Sequence, residues 1–280
     1  MFNSMRNHWP EYLIEALCLA TFMISACFFA VALFYPGSPV AVFDHALRNV
    51  LMGIAMGSTA IAIICSPLGK RSGAHFNPAV TLTFLRLGKI ERWDALFYMA
   101  LQFAGAVVGV LISWLVLRKL LEDSAVNFVA TVPGSYGVGI AFFAEGIISF
   151  FMMSMILFTS NSARFARLTP FFAGTLVAIY ISIENPLSGM SMNPARTFGS
   201  ALIGNVWHGW WIYFIAPPIG MFVASELFVK TRGLKAVLCA KLHHHNRARC
   251  IFNCGYAENG ARVVEVTKHA ELFPTVIGLF

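Results

Sequence analysis

Ser72-Gly73-Ala74-His75-Phe76-Asn77-Pro78-Ala79-Val80-Thr81 occurs a second time, as Ser188-Gly189-Met190-Ser191-Met192-Asn193-Pro194-Ala195-Arg196-Thr197. The offset is a constant 116, and six of the ten positions are identical. Each copy runs into an apolar segment that ends in glycine, at Gly88 and Gly204, eleven residues after its asparagine. Asparagine is a strong N-cap, and proline suits the first helical position, where no N–H is needed. Asn77-Pro78-Ala79 and Asn193-Pro194-Ala195 therefore each start a helix, and the glycine downstream can end it. The first helical part, 78 to about 87, is ~15 Å long at ~1.5 Å per residue, half of the ~30 Å hydrocarbon core. Two such half-helices entering from opposite faces meet at the midplane, with their positive N-terminal ends together. Each asparagine can then cap its helix with its side-chain oxygen and keep its NH₂ as a donor.

The composition places this motif in a membrane. The chain is 58% hydrophobic and 12% charged, with mean hydropathy +0.71, which excludes an ordinary soluble domain. The net charge of +7 does not point to nucleic acid, because most basic residues flank apolar segments. The six cysteines show no paired extracellular framework. The apolar run from Tyr12 to Tyr35 is longer than a signal-peptide core and few basic residues precede it, so it reads as a span.

Six spans are predicted, at 11–35, 44–66, 93–118, 137–160, 168–183 and 208–230, with half-helices at 77–87 and 193–203. Each half of the chain thus reads span, span, half-helix, span. Glu15 in the first span matches Glu145 in the fourth, and Gly105 matches Gly220 at an offset of 115. Three spans per repeat is an odd number, so the second copy sits upside down relative to the first. This is the inverted-repeat arrangement that puts a site at the midplane. The fold class is therefore an all-α membrane protein of six transmembrane helices plus two re-entrant half-helices. The domain reading is a channel domain over 1–230, with repeats at about 11–118 and 137–230, followed by a polar tail over 231–280. Lys and Arg fall mostly on the side that carries both termini, which predicts cytoplasmic termini.

The paired Asn-Pro-Ala half-helices, the six spans and the pairs Glu15/Glu145 and Gly105/Gly220 resemble the aquaporin (major intrinsic protein) family over residues ~10–230. The resemblance implies a homotetramer in the cell membrane, plasma or inner, with one pore per subunit passing water or small neutral solutes. It implies no enzymatic activity, no cofactor and no nucleic-acid partner. It places Asn77 and Asn193 at the pore centre, as donors to the solute. It makes Arg196 the cationic part of an external filter, with Val80 as its counterpart in the first copy. Ile181 and Met190 carry over to the filter by spacing, as does Met56, or Gly57 if no gap is allowed. Water-selective members have an aromatic residue and a His at these positions, and glycerol channels have two aromatics and an Asp after the Arg; here Thr197 follows. The expectation is water conduction with some glycerol or similar permeation. A broader glycerol, ammonia or peroxide facilitator is one alternative, and a secondary transporter is another from a different class.

Glu15 and Glu145 are intramembrane carboxylates, a type that often marks function. Here they are read as structural, accepting hydrogen bonds from the non-helical backbone that leads into each half-helix. Gly105, Gly109 and Gly220 are read as helix-crossing residues. In the tail, Cys239, His243, Cys250 and Cys254 are metal-ligand residue types, but their spacing is looser than the commonest zinc pairs. The reading preferred from sequence is reduced thiols in a basic, membrane-adjacent tail.

Overall fold

The computed structural model of the protein describes residues 1–244, 246 and 248–256. In chain order the α-helices are α1 (Phe2–Phe34), α2 (His45–Cys65), α3 (Pro67–Ser72), α4 (Pro78–Arg86), α5 (Arg92–Leu117) and α6 (Lys119–Glu122). They continue with α7 (Gly137–Ser160), α8 (Thr169–Ile183), α9 (Asn185–Ser188), α10 (Pro194–Gly204) and α11 (Ile212–Arg232). Six of these helical stretches are long and apolar enough to cross a membrane, and they coincide with the six spans read from sequence. The half-helices are α4 and α10.

The differences lie at the ends. α1 begins at Phe2 and carries Pro10 within it, nine residues before the apolar run suggested. Its first turns are held from outside: His8 Nδ1 lies 3.0 Å from Asp94 Oδ1, and Tyr12 donates to the same carboxylate. α4 ends as expected, with Gly88 just beyond it in the left-handed region at φ +68°. α10 keeps Gly204 inside the helix, and Asn205, at φ +52°, takes the left-handed C-terminal position instead. Asparagine is the other residue that tolerates this conformation, so the stop signal lay one residue further on.

Packing follows the internal symmetry. α1 runs against α5, and α7 against α11, which are the matched first and third spans of each repeat. α2 packs against α8, the matched second spans of the two repeats. Each half-helix reaches over to the other repeat, α4 against α11 and α10 against α5. The crossings are backbone contacts. A Cβ at Gly105 would sit 2.2 Å from Ala16 O, and one at Gly220 would sit 2.1 Å from Gly146 O. Gly57 and Gly174 do the same for α2 and α8, each facing the other's carbonyl. Helix association in lipid relies on such close approach, because apolar side chains gain little by leaving the hydrocarbon.

The tail does not stand apart as a separate polar segment. Val237, Cys239, Ala240, Leu242 and Phe252 are buried in one core with Ile64, Phe84 and Tyr98 of the channel body. His245 and residues 257–280, with the apolar stretch 272–280, lie outside the described residues.

Candidate pore and its lining

Each half-helix is entered through a short non-helical loop, and the two loops have the same backbone. Gly73, Ala74 and Phe76 in the first, and Gly189, Met190 and Met192 in the second, all have positive φ. Such residues cost about 1–3 kcal/mol each when they are not glycine, and persist only where their surroundings fix them. Alternating left-handed residues turn successive N–H groups to one side, forming a concave anion site. The two glutamates fill these sites. Glu15 accepts from His75 N (3.1 Å), Phe76 N (2.6 Å), Ser72 Oγ (2.7 Å) and Gln102 Nε2 (2.8 Å). Glu145 accepts from Ser191 N, Met192 N and Ser188 Oγ, each at 2.7 Å. Every partner is a donor, as an ionised carboxylate requires. Both glutamates are fully buried, and their hydrogen bonds hold these loops.

A second matched pair was missed from sequence. Tyr98 donates to Ser72 O at 2.7 Å, and Tyr213 donates to Ser188 O. Their offset of 115 equals that of Gly105 and Gly220, so the repeat itself carried the signal.

The asparagines come together. Asn77 Oδ1 caps α4 through Ala79 N (2.9 Å), and Asn193 Oδ1 caps α10 through Ala195 N (3.1 Å) and Arg196 N (3.2 Å). Their amides then cross over. Asn77 Nδ2 donates to Met192 O and Asn193 Nδ2 donates to Phe76 O, both at 2.8 Å. One hydrogen of each NH₂ is thus spent on locking the repeats together, and the other remains as a donor. The sequence reading had left both hydrogens free.

A cavity of ≈ 260 Å³ is lined by both asparagines. Its lining runs from His45, Val126 and Asn185 at one end to His75 and Leu242, on the tail side, at the other. Met56, Ile181, Met190 and Arg196 all line it. Between Met56 and Gly57 the structure therefore puts Met56 on the cavity, while Gly57 faces Gly174 O at the helix crossing. Arg196 Nη1 is buried and has no hydrogen-bond partner among the described residues. Pro78, Ala79, Pro194 and Ala195 are buried behind the asparagines as the first turns of the half-helices. Thr197, after the arginine, points away into a hydroxyl chain with Thr131 and Ser191, each contact 2.7 Å.

On the tail side, His75 connects pore and tail. Its Nε2 lies 2.8 Å from Ala240 O, so this nitrogen carries the proton, and its ring stacks between Phe84 and Phe252. Cys239, His244, Cys250 and Cys254 converge nearby, with their ligand atoms all within 4.8 Å of one another. His244, not His243, joins the three sulfurs. The Asn246 side chain draws in His243 O at 2.7 Å, and Tyr256 stacks on the His244 ring, so the turn presents the second histidine; His243 Nδ1 lies instead 4.0 Å from Cys65 Sγ. The hydrogen bond with Cys239 holds the Cys250 thiol well below its usual range, at about 4, and the Cys254 thiol at about 6. The same bonds, with burial, push Cys239 up. Burial pulls the Lys241 ammonium down.

Six spans, two inverted re-entrant half-helices and a shared central cavity define a polytopic membrane protein of the inverted-repeat, pore-enclosing class. The model of one family, the major intrinsic proteins, matches residues 3–228. A maize protein, aquaporin NIP2-3, is 32% identical over 71% of this chain, and the match spans 64% of its own length. The glycerol uptake facilitator protein-like 6 of Lactiplantibacillus plantarum is 32% identical over 79% of this chain and 95% of its own. The fold is that of the aquaglyceroporin from Plasmodium falciparum, with a TM-score of 0.63 at 20% identity, covering 79% of this chain and 95% of that one. The chain belongs to the major intrinsic protein family.

Proposed function

We propose that the chain is a passive channel for water and small neutral solutes, glycerol among them, that excludes protons and ions. The observation that carries this reading is the pair of asparagines on one cavity, each at the N-terminus of a half-helix. Each helix end contributes a positive potential equivalent to roughly half a charge, so a cation at the centre meets two of them. A water there accepts from the remaining asparagine hydrogens and turns its own hydrogens outward in both directions. A continuous proton wire is then interrupted. Glu15 and Glu145 are occupied by loop donors, which takes both repeat-matched carboxylates away from the ion coupling of a secondary transporter.

The filter reading rests on Met56, Ile181 and Met190 sharing the cavity with Arg196. An arginine at membrane depth must line water or find carbonyls. Opposite it, this wall is apolar and contains two flexible methionines, which fit irregular shapes. A cation facing an apolar wall suits a solute with hydroxyls on one side and CH groups on the other. The named relatives, an aquaporin and a glycerol uptake facilitator-like protein, span that same range. The bias of Lys and Arg supports cytoplasmic termini in a cell membrane, plasma or inner. Outward residues such as Leu13, Leu17, Val108 and Leu115 are exposed, as contacts with lipid or with neighbours in a homotetramer require.

Stopped-flow light scattering on proteoliposomes, under osmotic and glycerol gradients, tests the reading, with a pH dye inside for proton leak. Expected are water and glycerol fluxes above empty vesicles with no added proton flux. Water flux with glycerol flux equal to that of empty lipid would narrow the reading to a water channel. No flux of either solute would reject it.

A further inference from the structure

We propose that Cys239, His244, Cys250 and Cys254 bind one zinc ion per chain, and that this ion fastens residues 237–256 across the pore mouth on the tail side. Three cysteines and a histidine form a donor set for a soft, four-coordinate cation. Zinc with bonds of ~2.3 Å to sulfur and ~2.0 Å to nitrogen needs sulfurs ~3.7 Å apart and sulfur–nitrogen distances of ~3.5 Å. Cys239 and Cys250 Sγ are 3.6 Å apart, and Cys254 Sγ is 3.1 Å from His244 Nε2. All three cysteines are free, and the four atoms, all within 4.8 Å of one another, close around one cation with shifts of about an ångström or less.

The surroundings are built for thiolates. The backbone N–H two residues beyond each cysteine, that of Lys241, Phe252 or Tyr256, favours its thiolate. Such outer contacts orient metal ligands and favour the charged sulfur. Zinc with three thiolates and one neutral imidazole carries a net charge of −1, and a counter-charge is at hand. Lys241 is 2% exposed, and its ammonium closes the loop by donating to Ala248 O and Arg249 O. The His244 ring is set by Tyr256, stacked at 4.2 Å and 8°, and Tyr256 is tied by its hydroxyl to Ser160 O at 2.6 Å.

The described residues of 237–255 contain no helix or strand. A short irregular segment has few backbone bonds of its own, and a metal commonly supplies the missing cohesion. This knot is anchored to both repeats. Leu242 N donates to Gly73 O (3.1 Å) and Asn253 N to Lys89 O (3.0 Å) in the first; Leu238 N donates to Asn161 Oδ1 (2.6 Å) in the second. Leu242 lines the cavity. The ion therefore fixes the position of a pore-lining residue without touching the pore. Only the location at a pore mouth rests on the channel reading, and the metal itself is measured without transport.

The test begins with elemental analysis of full-length protein made in zinc-supplemented cells and purified without chelator. About one zinc per chain is expected. Cobalt(II) added to the stripped protein should give tetrahedral d–d bands and a thiolate-to-metal charge-transfer band. Cys250→Ser and His244→Ala should each weaken metal binding by at least about tenfold. Cys65→Ser and His243→Ala should bind as wild type does. Limited proteolysis should cut within 237–256 after zinc removal and spare it before. Should the serine variant fail to fold, the cobalt titration of wild type still decides. Zinc-free purified protein that also gives no cobalt charge-transfer band overturns the site, as does a Cys239–Cys250 disulfide in the cell-derived protein. Bound zinc whose removal leaves proteolysis unchanged overturns the fastening.

Discussion

Replacing Glu145 by glutamine isolates the work done by the buried carboxylates. In the wild type, Oε1 accepts from Ser188 Oγ and Ser191 N, and Oε2 accepts from Met192 N. The best placement of the new amide keeps its oxygen at the Oε1 position. Its NH₂ then faces the Met192 N–H, donor against donor. One buried N–H is orphaned, which costs about 1–3 kcal/mol, and the other two bonds fall from charged to neutral strength, about 1 kcal/mol in all. A loss of ~3 kcal/mol in a chain of this size lowers the melting temperature by about 6–12 °C. Glu15→Gln should be milder by about 1 kcal/mol, the worth of one hydrogen bond. There Gln102 can turn its Oε1, which has no hydrogen-bond partner among the described residues, toward the new amide. Pro217 takes the matching place in the second repeat and offers no such group. The assay is thermal unfolding of detergent-purified protein by intrinsic fluorescence, alongside proteoliposome water flux. Water flux should fall for Glu145→Gln, because Met192 O anchors Asn77 at the pore centre. Melting within about 2 °C of wild type for both variants would refute the scaffold role.

Ile181→His should reduce glycerol flux more than water flux, since the ring narrows the opening and adds a polar partner opposite Arg196; stopped-flow rates of the two solutes in the same vesicles check this. Arg196→Val, which copies Val80 of the first repeat, should raise proton leak, read with an entrapped pH dye, by removing the fixed charge at one end of the cavity; an unchanged leak would place proton exclusion wholly at the asparagines. Truncation after Ala236 should lower the melting temperature by exposing Phe84 and His75. Each buried apolar side chain lost with the tail, Leu242 and Phe252 among them, contributes about 1.5–3 kcal/mol.

The repeat determined most of this fold before any coordinates. Asn-Pro at an interval of 116 residues dictates two half-helices, because capping and proline geometry are local. An odd number of spans per repeat dictates their inversion. Glu15 and Glu145 were legible for the same reason: a carboxylate inside an apolar run needs donors, and an irregular loop at membrane depth has donors to give. What the sequence left open depended on contacts between distant segments. Whether Met56 or Gly57 faced the cavity turned on the rotation of α2 against α8, fixed where Gly57 meets Gly174 O. That His244 joins the cysteines, and not the His243 named from spacing, turned on one turn of irregular chain, which has no periodicity to read. The burial of Val237, Cys239, Ala240, Leu242 and Phe252 was hidden for a related reason. They are scattered at no helical or strand spacing, and the surface that buries them is assembled from Gly73, Phe84, Tyr98 and Asn161, brought together only by folding.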